Sequence, residues 1–132
     1  MPPTPDGGRV GHTVGMRALT VHHVSVNVAD LDEGIIFYGT TLGLPRRGDR
    51  PGDIGPGAWF DSGDRQVHLL PAPAPESRGQ HVALLVADLD AERAGLLDAG
   101  VQVSEPFPIG GNRQAFLTDP WGNVIELHEL GA

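Results

Sequence analysis

Apolar and polar residues alternate over 19–28, a stretch dense in Val, and the alternation predicts a half-buried strand around His23. The period then changes. Leu31, Ile35, Tyr38 and Leu42 recur at helical spacing behind Asp30-Leu-Asp-Glu33, where the Asp30 carboxylate can accept from the Glu33 amide. Gly43 closes that helix. Residues 44–47 form a short strand candidate, and 50–57, with three Gly and two Pro, form a loop. Segments 58–61 and 66–70 flank Ser62-Gly63-Asp64 and predict a hairpin. Pro at alternate positions makes 71–79 a semi-rigid connector.

After the connector the pattern starts again. His23-Val-Ser-Val-Asn-Val-Ala-Asp-Leu-Asp32 returns 58 residues later as His81-Val-Ala-Leu-Leu-Val-Ala-Asp-Leu-Asp90. The same step carries Gly52 onto Gly110, Asp61 onto Asp119 and His68 onto Glu126, so the chain holds two copies of one unit. In the second copy 81–86 is a strand and Asp88 caps a helix carrying Leu89, Leu96 and Leu97 up to Gly100. Strands follow at 101–105, 114–117 and 124–128, broken by Gly110-Gly111 and by the turn 118–123. Each copy therefore reads β-α-β-β-β, and the fold class is α+β, built from two tandem βαβββ modules. Module one spans 17–70 and module two 80–130, within a single domain of 17–132. Residues 1–16, rich in Pro and Gly, read as a flexible leader in which His12 is a solvated tail residue and Met16 an alternative start.

Composition narrows the function classes. The net charge of −8, with the nine cationic residues all Arg and scattered, opposes binding to nucleic acid or anionic membranes. With 39% hydrophobic and 20% charged residues the chain reads as an ordinary globular protein. No apolar run approaches the ~18 residues of a membrane span. The absence of Cys excludes thiolate ligands and a Cys nucleophile. The leader lacks the basic start and apolar core of a signal peptide, so a cytoplasmic location is the expectation.

The repeated positions carry the chemistry. His23 and His81 open the first strand of each module, and His68 and Glu126 occupy equivalent places in the last strands. If first and last strands lie side by side, each module offers two ligands from one sheet face, and two modules bring four together. Three imidazoles and a carboxylate suit one divalent transition ion, Zn, Ni, Fe, Co or Mn, better than Ca or Mg. Strand parity turns His22 away from His23, and places His128 on the face of Glu126, as an edge residue or a partner of that carboxylate.

The tandem modules, the His-x-x-x-x-Val-Ala-Asp-Leu openings and the ending Asp119-Pro-Trp-Gly-Asn-Val-Ile-Glu126 resemble the vicinal oxygen chelate superfamily, the group of glyoxalases, extradiol dioxygenases and bleomycin-binding proteins. The resemblance spans 17–130. It implies a curved, partly open mixed sheet, metal ligands at His23, His68, His81 and Glu126, and a homodimer that binds a small-molecule substrate. It further implies a glyoxalase-like lyase or isomerase acting on a substrate that chelates the ion through adjacent oxygens, with Glu126 and His68 as acid/base candidates. His68 stands where Glu or Gln is usual, which leaves it open as ligand or acid/base group. An extradiol-type dioxygenase and an antibiotic-binding or antibiotic-modifying protein are the alternatives. Parity puts Gln114 and Phe116 on one face, and the resemblance turns the Phe116 position toward the site. Phe60 is expected to line the other half, with Trp59 opposite in the core, and Arg113 to clamp an anionic substrate. Trp121 is open to two roles, a contact residue or packing on its own turn.

Overall fold

The structure, a computed structural model, describes residues 15–131. All but the last two residues of the 1–16 leader, His12 among them, lie outside that range. Seven strands and two helical segments follow in the order β1 (His23–Val28), α1 (Leu31–Ile35), a π-helical continuation (Ile36–Thr41), β2 (Ala58–Ser62), β3 (Arg65–Pro71), β4 (His81–Leu85), α2 (Leu89–Asp98), β5 (Phe107–Ile109), β6 (Asn112–Thr118) and β7 (Val124–Glu129). They build two sheets, ordered β1-β3-β2 and β4-β7-β6-β5. In each sheet the first strand runs parallel to the last, as β1 to β3 and β4 to β7, and the hairpin partner is antiparallel. The α+β class and the mixed sheets match the sequence reading.

Local signals explain the helices. Asp30 Oδ1 accepts from Glu33 N and Asp88 Oδ1 from Ala91 N, both at 3.0 Å, which satisfies donors that the first turn leaves free. Gly43 and Gly100 take left-handed φ values of 77° and 86° just beyond the helices, the conformation that stops a helix at little cost in Gly. The first helix departs from simple α spacing. Its second half is wound with five-residue hydrogen bonds, Leu42 N to Phe37 O at 2.8 Å, and the wider turn lets the consecutive Phe37 and Tyr38 both enter the core.

Three boundaries move. The first strand begins at His23, and Leu19 is 97% exposed. The expected strand at 44–47 shrinks to one bridge, Arg46 with Phe60, because Pro45 has no N–H to extend a ladder. The expected strand at 101–105 shifts to β5. Ser104 N donates to Phe116 O and Phe116 N to Ser104 Oγ, both at 2.9 Å, while β5 pairs Phe107 with Gln114. One extra residue thus sits opposite β6, a bulge from which pairing resumes only after Pro106.

One core cluster draws on both modules, from Val26, Val28, Phe60 and Leu69 to Leu89, Leu117, Ile125 and Leu127. Across it Tyr38 donates its hydroxyl to Asp119 Oδ2 at 2.7 Å in a buried pair. Asp119 also accepts from Trp121 N, Asn123 N and Asn123 Nδ2, and the same Nδ2 donates to Asn27 O at 2.8 Å. Four hydrogens fill the carboxylate, so the Asp-Pro-Trp-Gly-Asn turn is a hub tying module two to the π-helical end of the first helix and to β1. Trp121 packs, half-buried, against the core.

Burial, then the hydrogen bond and charge of Asp119, hold the Tyr38 hydroxyl far above the ordinary tyrosine value. In the unfolded chain the phenol ionises at about 10 whereas the folded one stays protonated, so stability falls as pH rises above that value. Tyr38→Phe is expected to cost about 2 kcal/mol in urea unfolding at neutral pH and to flatten that alkaline decline; an unchanged midpoint and an unchanged alkaline slope would count against the hub.

Candidate metal centre

In module one the chemistry-bearing side chains stand in a row across the sheet, on the face away from the core. Ser25 pairs with His68 and His68 with Trp59. The His68 ring stacks on His23, centroids 3.9 Å apart and planes 15° apart, and on Trp59 at 4.6 Å and 14°. Behind Trp59 lies the Arg50 guanidinium, 5.9 Å from the ring centroid, its Nη1 donating to Gly55 O at 2.6 Å. Among the described residues Arg50 pairs with no carboxylate. Burial, followed by the charges of His23, His22, Arg50 and Arg47, pushes the His68 imidazole down to about 4. His68 is therefore neutral at physiological pH, as a metal-ligating imidazole must be. Its Nε2 lies 2.8 Å from Gln66 Oε1.

Module two repeats the row with a different last-strand group. Ala83 pairs with Glu126 and Glu126 with Phe116, and the His81 ring meets Phe116 edge-on at 5.7 Å. Gly79 O, which can only accept, lies 2.9 Å from His81 Nδ1 and so fixes the ring proton there. The bare Nε2 then faces Glu126 Oε1 at 3.0 Å. Two acceptors at that distance need a positive charge between them. A proton can serve, and the Gly79 carbonyl and then Glu126 do raise the His81 value. A metal ion serves as well: two cis ligands ~2.1 Å from one ion stand about 3 Å apart. The far oxygen, Oε2, is held by His128 Nδ1 at 2.7 Å.

The His81–Glu126 pair therefore fits an ion, and the His23 and His68 imidazoles stand side by side. The four do not meet in one chain. Among the described residues no group of three or more His, Asp or Glu side chains is arranged to hold a metal ion, and the parallel His23 and His68 rings would have to turn to converge on one. The two first strands, β1 and β4, flank a cavity of about 310 Å³ whose walls include Ser25, Asn27, Gln80 and His81.

Several expected site residues move. Phe60 does not line the site: it is 0% exposed, in the core. Trp59 takes its place. The hairpin turn is one residue shorter in module one than the 58-residue step demands, so Trp59 pairs with His68 as Phe116 pairs with Glu126. A one-residue slip flips a strand's faces, and the sequence match of Asp61 to Asp119 hid it. Arg113 is no substrate clamp. It projects to the helix side, where Asp90 and Glu129 each bind it at 3.0 Å. Gln114 and Phe116 lie on the site face, paired with His128 and Glu126. His22 precedes β1, where strand alternation does not hold, and its Nδ1 comes 2.9 Å from that of His23. No pattern in the sequence pointed to Arg50, which reaches the row from a Gly- and Pro-rich loop.

The sequence model of the Glyoxalase/Bleomycin resistance protein/Dioxygenase superfamily matches residues 20–127. The chain belongs to that superfamily. Within it, the chain is 30% identical to a 2-epi-5-epi-valiolone epimerase of Actinomyces sp., across 87% of this chain and 81% of the epimerase. It is 32% identical to TnmS3, an antibiotic binding protein from Streptomyces sp. CB03234, whose crystal structure superposes with a TM-score of 0.74 over 89% of this chain and 100% of that one. A putative glyoxalase family protein from Bacillus anthracis, 24% identical, shares the fold with a TM-score of 0.78 over 89% of this chain and 99% of its own.

Arg113→Gln is expected to leave ligand and metal affinity within about twofold, as suits a partly exposed ion-pair residue on the far face. Trp59→Ala should lower small-ligand affinity in the same titration. The opposite ranking would restore Arg113 to the site.

Proposed function

We propose that this superfamily member is a divalent-metal-dependent isomerase or lyase of the glyoxalase type, acting on a small substrate with two neighbouring oxygens. The observation that carries the reading is the pair of acceptors, His81 Nε2 and Glu126 Oε1, 3.0 Å apart and each fixed from behind. His23, His68, His81 and Glu126 would hold the ion, whose identity among Zn, Ni, Fe, Co and Mn the donor set leaves open. When bound, such an ion supplies a Lewis acid that makes a C–H beside a carbonyl acidic. The proton is handled by the chain: Glu126 as carboxylate and His68 as neutral imidazole are the acid/base groups. Trp59, Phe116 and Gln114 provide the walls. The epimerase relative supports a polyhydroxylated cyclic ketone as the substrate class.

We further propose that modules 17–70 and 80–130 act as one domain, in the cytoplasm, and that two copies pair so that module one of one chain completes module two of the other. Supporting this are the separated ligand pairs and three exposed apolar side chains on the sheet of module two, Leu85, Phe107 and Ile109. Among the described residues no helix is long and apolar enough to cross a membrane.

A second reading, antibiotic sequestration, is favoured by the full-length likeness to TnmS3. Metal analysis separates the two. Protein purified and offered Zn, Ni, Co, Mn or Fe(II) is expected to hold one of them stoichiometrically, to lose it in His81→Ala and Glu126→Ala, and to bind it more weakly in His68→Ala. The loaded protein should exchange solvent deuterium into polyhydroxylated ketones. A wild type that takes up none of these ions leaves the binding-protein reading standing, and full occupancy in Glu126→Ala refutes this site.

A further inference from the structure

A continuous hydrogen-bond chain runs behind Glu126 and ends on a main-chain donor. Gly131 N–H meets Asn112 Oδ1 at 2.8 Å. A backbone N–H can only donate, so the Asn112 amide has one orientation, with Nδ2 turned to His128 Nε2 at 3.1 Å. Nδ2 can also only donate. His128 Nε2 therefore accepts, its ring proton sits on Nδ1, and Nδ1–H donates to Glu126 Oε2 at 2.7 Å. Each step leaves the next no choice. The anchor is constrained too, because a Cβ on Gly131 would strike Gly111 O in the β5–β6 turn. Only Gly can bring that N–H onto Asn112.

Without this chain Glu126 would have freedom that its position does not tolerate. The terminal torsion of a Glu side chain is broad and roughly two-fold, so a carboxylate free at both oxygens can turn either edge, or both, toward an ion. Binding through both oxygens would occupy a coordination position that a substrate chelating through two oxygens needs. A single fixed donor on Oε2 leaves Oε1 alone facing His81 Nε2.

We propose that His128 and Asn112 are positioning residues that hold Glu126 by Oε2, so that it ligates the ion through Oε1 only. The proposal rests on the metal reading of the site. It assigns a role to two residues outside the ligand set, one on the same strand as Glu126 and one at the start of β6, and it makes the short Glu129-Leu-Gly131 segment part of the site.

The test is Co(II) titration with visible spectroscopy of the wild type, His128→Leu, His128→Asn and Asn112→Leu, each checked for native circular dichroism, together with imidazole 15N NMR of the metal-free wild type. His128→Leu and Asn112→Leu are expected to bind Co(II) roughly 10–100-fold more weakly, with an altered absorption envelope, as removal of outer hydrogen bonds to ligands does. His128→Asn places an amide N–H near the lost Nδ1–H and should return affinity and spectrum to nearly wild type. The NMR should show the His128 proton on Nδ1 without any metal. Wild-type affinity and spectrum in both Leu variants, or a proton on Nε2, overturns the positioning role. A wild type that binds no Co(II) overturns the metal reading itself and this role with it; only failure confined to the variants leaves that reading intact.

Discussion

A buried tyrosine hydroxyl on a carboxylate decides how the two halves of this chain meet. Asp119 sits in the turn before β7, takes two main-chain N–H groups and the Asn123 amide from its own turn, and completes its shell with Tyr38 of module one. Leaving such a carboxylate short of a partner in the core costs more than an average hydrogen bond contributes. The turn, the π-wound end of the first helix and the end of β1 are therefore fixed together. With that joint set, the valine and leucine faces of both sheets share one core, and the opposite faces are left to carry His23, His68, His81 and Glu126.

The same logic shows what was legible in the sequence. The helix caps at Asp30 and Asp88 and the stops at Gly43 and Gly100 follow from local chemistry repeated in two copies, whereas the pairing of first and last strands entered only as a condition that the structure meets. The placing of His23, His68, His81 and Glu126 on the first and last strands followed too, because those strands keep the register of the repeat. What failed was parity in the hairpins. One residue fewer in the module-one turn exchanged Trp59 with Phe60, and no local signal distinguishes the two aromatic residues. Arg113 was misread for a related reason: its face of β6 is set by pairing with Glu129, and its partner Asp90 lies on a helix that only the tertiary fold brings near. Arg50 arrives from an irregular loop, where no periodicity operates.

The site that emerges is asymmetric in a useful way. Module one presents a stacked row of imidazoles and indole with a guanidinium behind it, neutral at its centre because burial and nearby positive charge keep His68 unprotonated. Module two presents a carboxylate and an imidazole whose facing atoms are both acceptors, a gap that a cation fills. Neither row alone gives the coordination that transition ions take from proteins, and within one chain the rows stay apart. In the proposed pairing of copies each row would supply what the other lacks, with the exposed Leu85, Phe107 and Ile109 as apolar surface for it.

Complementation tests that claim most directly. One chain would carry His23→Ala with His68→Ala, the other His81→Ala with Glu126→Ala, and the two would be co-expressed and purified together through different tags. A site built across copies predicts that neither parent binds metal while the mixed assembly regains one intact site per pair of chains. A mixed assembly as empty as its parents, beside a metal-loaded wild type, would place the whole site within a single chain and contradict the account.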